Sequence, residues 1–87
     1  MARRFQYQVC YSVMDRVTFS NGRWLGADIP ESQRKQQDAE TCPQVWDYLQ
    51  QVGAEGWELV TVLETPAATP KSLPVRTLYL NQTFSVV

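Results

Sequence analysis

The sequence predicts an α+β domain: an antiparallel sheet of four to five strands, opened by a long N-terminal hairpin, with one amphipathic helix packed on one face. Three observations carry this expectation. Apolar residues recur with period two at 5–13 and 75–86, and 57–64 carries apolar residues on both faces of a strand. Asn21-Gly22 is the dipeptide best suited to a two-residue hairpin turn. From Val45 to Val52 the apolar spacing becomes that of a helix. The order is therefore strand, hairpin, helix, strand, strand, in a single domain spanning 1–87.

In the first strand, Phe5, Tyr7, Val9, Tyr11 and Val13 alternate with Gln6, Gln8, Cys10, Ser12 and Met14, so one face is expected to be buried. The odd-numbered series resumes at Val17 and Phe19, and the strand is expected to continue past Asp15-Arg16 with a bend. A type I′ turn at Asn21-Gly22 needs positive φ at both residues and would pair Ser20 with Arg23 and Phe19 with Trp24. The polar stretch 27–40 reads as an exposed connection, with a turn of helix after Pro30.

The helix is expected to begin at Thr41-Cys42-Pro43-Gln44. Thr41 would cap it, Gln44 would complete a capping box, and Pro43 would lie in the first turn. Val45, Leu49 and Val52 then define its apolar face, with Tyr48 and Trp46 on either side. After the helix, Trp57, Leu59 and Leu63 fall on one face of a strand, and Val60 and Val62 on the other. A proline-punctuated loop follows at 65–74. In the last strand Leu78, Leu80, Phe84 and Val86 oppose Val75, Thr77 and Tyr79.

Gly53 to Val60, "GAEGWELV", marks the change of period. Gly56 fits the left-handed position after a helix, and Gly53 falls on the apolar side of the wheel, where a ring such as that of Trp57 could approach closely. Phosphate-binding glycine loops run from strand to helix and present amides; this one runs from helix to strand and presents carbonyls. It is a joint in the fold.

The helix ending "YLQQVGAEGWELVTV", after a strand "FQYQVCY" and before "TLYL", resembles a family of small bacterial and phage proteins, the domain of unknown function 4177. The likeness covers residues 5–11, 45–63 and 77–80 and rests on Gly53-x-x-Gly56-Trp57-Glu58-Leu59-Val60. The Asn21-Gly22 hairpin with its polar connection is longer than the usual linker of that family, and the last strand runs further. The resemblance implies the fold and brings no catalytic residues with it.

Catalysis is not expected. There is no histidine, and no serine or threonine stands in a context that supplies a base. Glu55 and Glu58 read as solvated charge. Cys42, near a helix start, is the sole candidate nucleophile and a weak one. Two cysteines 32 positions apart cannot build a zinc site, so neither metal nor cofactor is expected. They read as reduced thiols of a cytoplasmic protein, with one internal disulfide as the alternative. A net charge of −1 without a basic stripe argues against nucleic acid, and no signal peptide or membrane span is visible.

What remains is surface. One helix covers one face of a sheet, so Val60, Val62, Val75 and Tyr79 are expected to form a second apolar surface and an oligomer interface, a homodimer first. The sequence thus predicts a non-catalytic, homo-oligomeric assembly or protein-interaction module. The alternative is a phage or bacterial protein that sequesters a small nucleotide-type anion through Arg23, Trp24 and Arg76.

Overall fold

β1 (Ala2–Val13) and β5 (Val75–Val86) form the long central pair of a five-stranded antiparallel sheet. β2 (Arg16–Ser20) and β3 (Arg23–Trp24) extend it on one side and β4 (Glu58–Thr65) on the other, giving the order β3-β2-β1-β5-β4. One helix, α1 (Val45–Ala54), and 3-10 turns at Glu31–Gln33 and Gln36–Thr41 complete the α+β architecture. The computed structural model describes residues 2–66 and 73–86, with backbone alone for Ala2, Arg3, Gln36 and 84–86. The expected faces of Phe84 and Val86, and most of the expected 65–74 loop, lie outside the described residues.

The register fixes which side chains share a face, because direct cross-strand partners point the same way. Arg23, Ser20, Cys10, Leu78 and Val62 form one row across all five strands on the helix side. Trp24, Phe19, Tyr11, Thr77 and Leu63 form the matching row on the opposite side. Tyr48 and Val52 of α1 pack with Cys10, Val17, Leu78 and Leu80 to make the core, flanked by Leu25, Val45, Leu49 and Trp57.

The buried face of β1 is thus the even-numbered one, Gln8, Cys10 and Ser12, while Phe5, Tyr7 and Tyr11 are exposed. Hydrophobicity alone would choose the aromatic face. Geometry decides otherwise: Leu78 and Leu80 of β5 are Cα partners of Cys10 and Gln8, and Tyr48 and Val52 pack over the small side chain of Cys10. Gln8 remains satisfied there, since its oxygen accepts from the Tyr48 hydroxyl and from the Cys10 thiol at 3.1 Å.

Three local expectations are corrected. The first strand does not bend and continue: it reverses at Met14-Asp15, where both residues have positive φ, 50° and 61°. Asp15 tolerates the left-handed region but Met14 is not a usual resident of it, so the sequence suggested a bend here rather than a full reversal. The second hairpin follows expectation, with Asn21 at φ 50°, Gly22 at φ 82°, and Ser20–Arg23 and Phe19–Trp24 paired.

The helix begins at Val45, with Gln44 as N-cap and no side-chain cap bond. Pro43 disfavours helical geometry in the residue before it, and Cys42 is extended at φ −83°, ψ 156°. This stretch instead borders β2: the amide of Val17 donates to Pro43 O at 2.9 Å and that of Val45 to Asp15 O at 2.9 Å. Thr41 is engaged elsewhere, donating to Asp38 O and accepting from the Ala27 amide at 2.9 Å. Trp46 faces solvent at 70% exposure, off the packed stripe of Tyr48 and Val52.

Gly53 is exposed, and a Cβ added there would meet nothing within 4 Å. Trp57 therefore does not lie against it. The helix closes in a Schellman motif: Trp57 N donates to Val52 O and Gly56 N to Gly53 O, both at 3.0 Å, with Gly56 at φ 97°. The joint reading of this stretch holds, through Gly56 rather than Gly53. The glycine that close packing does require is Gly26, where a Cβ would lie 2.5 Å from Thr41 Oγ1 and 2.7 Å from the Trp24 ring.

Candidate binding face and cleft

The sheet is longer than its cover. A ten-residue helix spans about 15 Å, while a twelve-residue strand spans about 40 Å. On the helix side α1 shields β1, β2 and β5 but not β4, whose eight residues are all exposed. On the other side Phe5, Tyr7, Tyr11, Leu63 and Tyr79 stand 55%, 66%, 43%, 56% and 36% exposed. Together they present about 500 Å² of apolar side chain, near the upper end of what a monomer commonly leaves to water.

The four residues expected to share a second apolar face do not do so. Val75 and Tyr79 lie on the uncovered face, as their alternation with Leu78 and Leu80 requires. Val62 is a partner of Leu78 and so lies on the helix side, although 42% exposed. Val60 is the extra residue of a bulge between Leu59 and Thr61, and it shifts the alternation of everything after it. Leu63, expected opposite Val62 on the face of Trp57 and Leu59, joins Tyr79 and Val75 instead. A bulge has no dependable signature in one sequence, so alternation assigned the faces of β4 wrongly.

Arg23, Trp24 and Arg76 are not brought together. Arg23 is on the helix side of β3, and its neighbour Trp24 is on the opposite face. Arg76 pairs with Ser12 and Glu64 three strands away from β3, a separation of about 14 Å across the sheet. It lies 3.9 Å from Asp15 and 3.7 Å from Glu64, both exposed pairs, in a small hollow with Leu73 and Pro74.

Trp24 has different company. The 3-10 turns after Pro30 rise beside the uncovered face and form a cleft of about 340 Å³ with Val13, Thr18, Phe19 and Trp24 on one wall and Glu31, Arg34, Lys35 and Ala39 on the other. Phe19 meets Trp24 edge-on, centroids 5.4 Å apart at 63°. The Arg34 guanidinium sits 4.7 Å over the Trp24 ring, and its Nε donates to Ile29 O at 3.1 Å. Sequence reading missed Arg34 and Lys35 because they lie in a polar run with no periodicity, ten and eleven residues from Trp24.

Both thiols are free and buried. Burial raises the Cys42 pKa against the opposing pull of the Thr41 hydroxyl, Arg16 and Arg34. Burial likewise raises Cys10, against hydrogen bonds from Ser20 and Tyr48. A protonated, enclosed thiol is a poor nucleophile. Among the described residues no group of three or more His, Cys, Asp or Glu could hold a metal, and no helix is long and apolar enough to cross a membrane.

Comparison with family models, curated proteins and solved structures finds no match to this chain. The reading of its function rests on its own surface.

Proposed function

We propose that this chain is a non-catalytic assembly module whose uncovered sheet face docks against a second copy of itself. The observation that carries the reading is the exposure of Phe5, Tyr7, Tyr11, Leu63 and Tyr79 on one face. Between Phe5 and Val13, Val75 and Thr83, and Glu58 and Thr65, the register gives that face a single charged residue, Glu58. Its remaining polar residues there are Thr61, Thr65, Thr77, Asn81 and Thr83. Burying such a surface strands almost no charge, and interface cores are depleted of charge for this reason. With its polar rim the face approaches the ~800 Å² per partner of a stable interface. The free, buried thiols fit the reducing cytosol as the site of assembly.

The test is sedimentation equilibrium at micromolar concentration. The expected species is an oligomer of the 10.0 kDa chain, a dimer first, that Tyr7→Lys converts to monomer. A wild-type protein that stays monomeric at 100 µM (about −5.5 kcal/mol as a dissociation constant) overturns the proposal.

A further inference from the structure

We propose that the cleft beside Trp24 binds a small aromatic anion: a planar ring carrying a carboxylate or a phosphate. This site lies beyond Tyr11 on the sheet and does not depend on self-association.

Its aromatic wall is held in place before any ligand arrives. Trp24 Nε1 donates to Ala27 O at 2.9 Å, Phe19 abuts the ring edge-on, and Gly26 presses so close that a Cβ would reach the ring at 2.7 Å. A fixed ring loses little freedom on binding, so more of the contact energy appears as affinity. Val13 and Ala39 add apolar lining from either side.

The cleft carries two cations in a chain whose net charge is −1: Arg34, stacked over the Trp24 ring at 4.7 Å, and Lys35 next to it in sequence. Arg34 and Lys35 line the cleft with Glu31, and the Asp38 carboxylate next to them is taken up by the Lys35 amide at 2.7 Å. Among the described residues neither cation pairs with a carboxylate, whereas Arg76 contacts two. Arg34 is oriented by its Nε bond to Ile29 O, which leaves its terminal nitrogens to meet a carboxylate or phosphate as a fork. A volume of about 340 Å³ suits one or two rings, at the lower end of ligand sites. Apolar ring below and anion at the rim is the pairing of chemistries that this cleft satisfies.

The same chemistry is offered by a free metabolite and by the aromatic C-terminal residue of a polypeptide. Two-dimensional NMR of the Trp24 indole N–H reports on both, with phenyl phosphate and indole-3-acetate as free anions, N-acetylphenylalanine as the chain end, and neutral indole as control. The anions should give saturable shifts at Trp24, indole much weaker ones, and the tighter anion identifies the source. Arg34→Gln and Lys35→Gln should each weaken binding about tenfold, with melting temperatures and sedimentation unchanged, whereas Arg23→Gln and Arg76→Gln should leave it intact. No saturable shift with any anion at about 10 mM overturns the site, as does undiminished binding in both Arg34→Gln and Lys35→Gln.

Discussion

The Tyr48 hydroxyl, carried on α1, donates to the side-chain oxygen of Gln8 on β1. All three members of the group, Gln8, Cys10 and Tyr48, are buried, and Tyr48 also approaches the Cys10 sulfur at 3.8 Å. Apolar contact holds a helix on a sheet without choosing its position along the strand, whereas a buried hydrogen bond is lost if the helix slides. This contact sets where α1 sits. Tyr48→Phe should destabilise the fold by about 1–3 kcal/mol, because Gln8 loses a buried partner, and Gln8→Leu should cost less in the Tyr48→Phe background than alone. Urea unfolding of the double-mutant cycle measures the coupling; additive costs would show that the bond does not position the helix.

The same tyrosine makes stability sensitive to alkali. Burial pushes the Tyr48 pKa from 10.0 up to about 12; a Ser20 hydrogen bond opposes the shift, and Cys10 and Glu55 add to it. The folded state therefore resists ionisation that the unfolded chain undergoes freely. The stabilising contribution is intact below pH 10 and is lost as pH rises from 10 to about 12, amounting to about 2–3 kcal/mol. Cys10, also raised by burial, begins the decline just above pH 9.0. Tyr48→Phe should flatten the upper part of this decline in urea unfolding followed from pH 8 to pH 12.

Three backbone sites should respond in opposite directions. Gly26→Ala should cost about 1–3 kcal/mol, since its Cβ would overlap Trp24 and Thr41. Gly53→Ala should stabilise by about 0.5–1 kcal/mol, since the site is helical and open. Met14→Gly should stabilise by a few tenths of a kcal/mol to about 1 kcal/mol, relieving a left-handed conformation. Thermal and urea denaturation order the three, and a destabilised Gly53→Ala would contradict the open surface described there.

The bulge at Val60 yields a test of which side of β4 associates. Leu63 is on the uncovered face and Val62 on the helix side. Leu63→Lys should weaken self-association at least tenfold, and Val62→Lys should weaken it far less. Sedimentation of both variants reads the difference; a larger effect at Val62 would move the interface to the free edge and helix side of β4.

Much of this fold was legible in the sequence. The period-two strands, the Asn21-Gly22 turn with its Phe19–Trp24 pair, the helix stripe of Val45, Leu49 and Val52 flanked by Tyr48, and Gly56 as the helix terminator are all local properties, set by φ preferences and side-chain spacing. Such properties act over a few residues and leave their mark in composition. What the sequence could not decide was everything set by contact between distant segments. Alternation in β1 identifies two faces but does not choose between them; the choice fell to the small side chain of Cys10 and the hydroxyl of Tyr48, 38 residues apart. The reversal at Met14-Asp15, of which the sequence suggested only a bend, and the bulge at Val60, which nothing in the sequence marks, are defined by strand pairing. The cleft joins Trp24 to Arg34 and Lys35 because Gly26 lets the chain turn closely against the indole. Local chemistry determined the elements of this protein, and tertiary packing alone decided which faces they leave open, because burial is a property of neighbours rather than of residues.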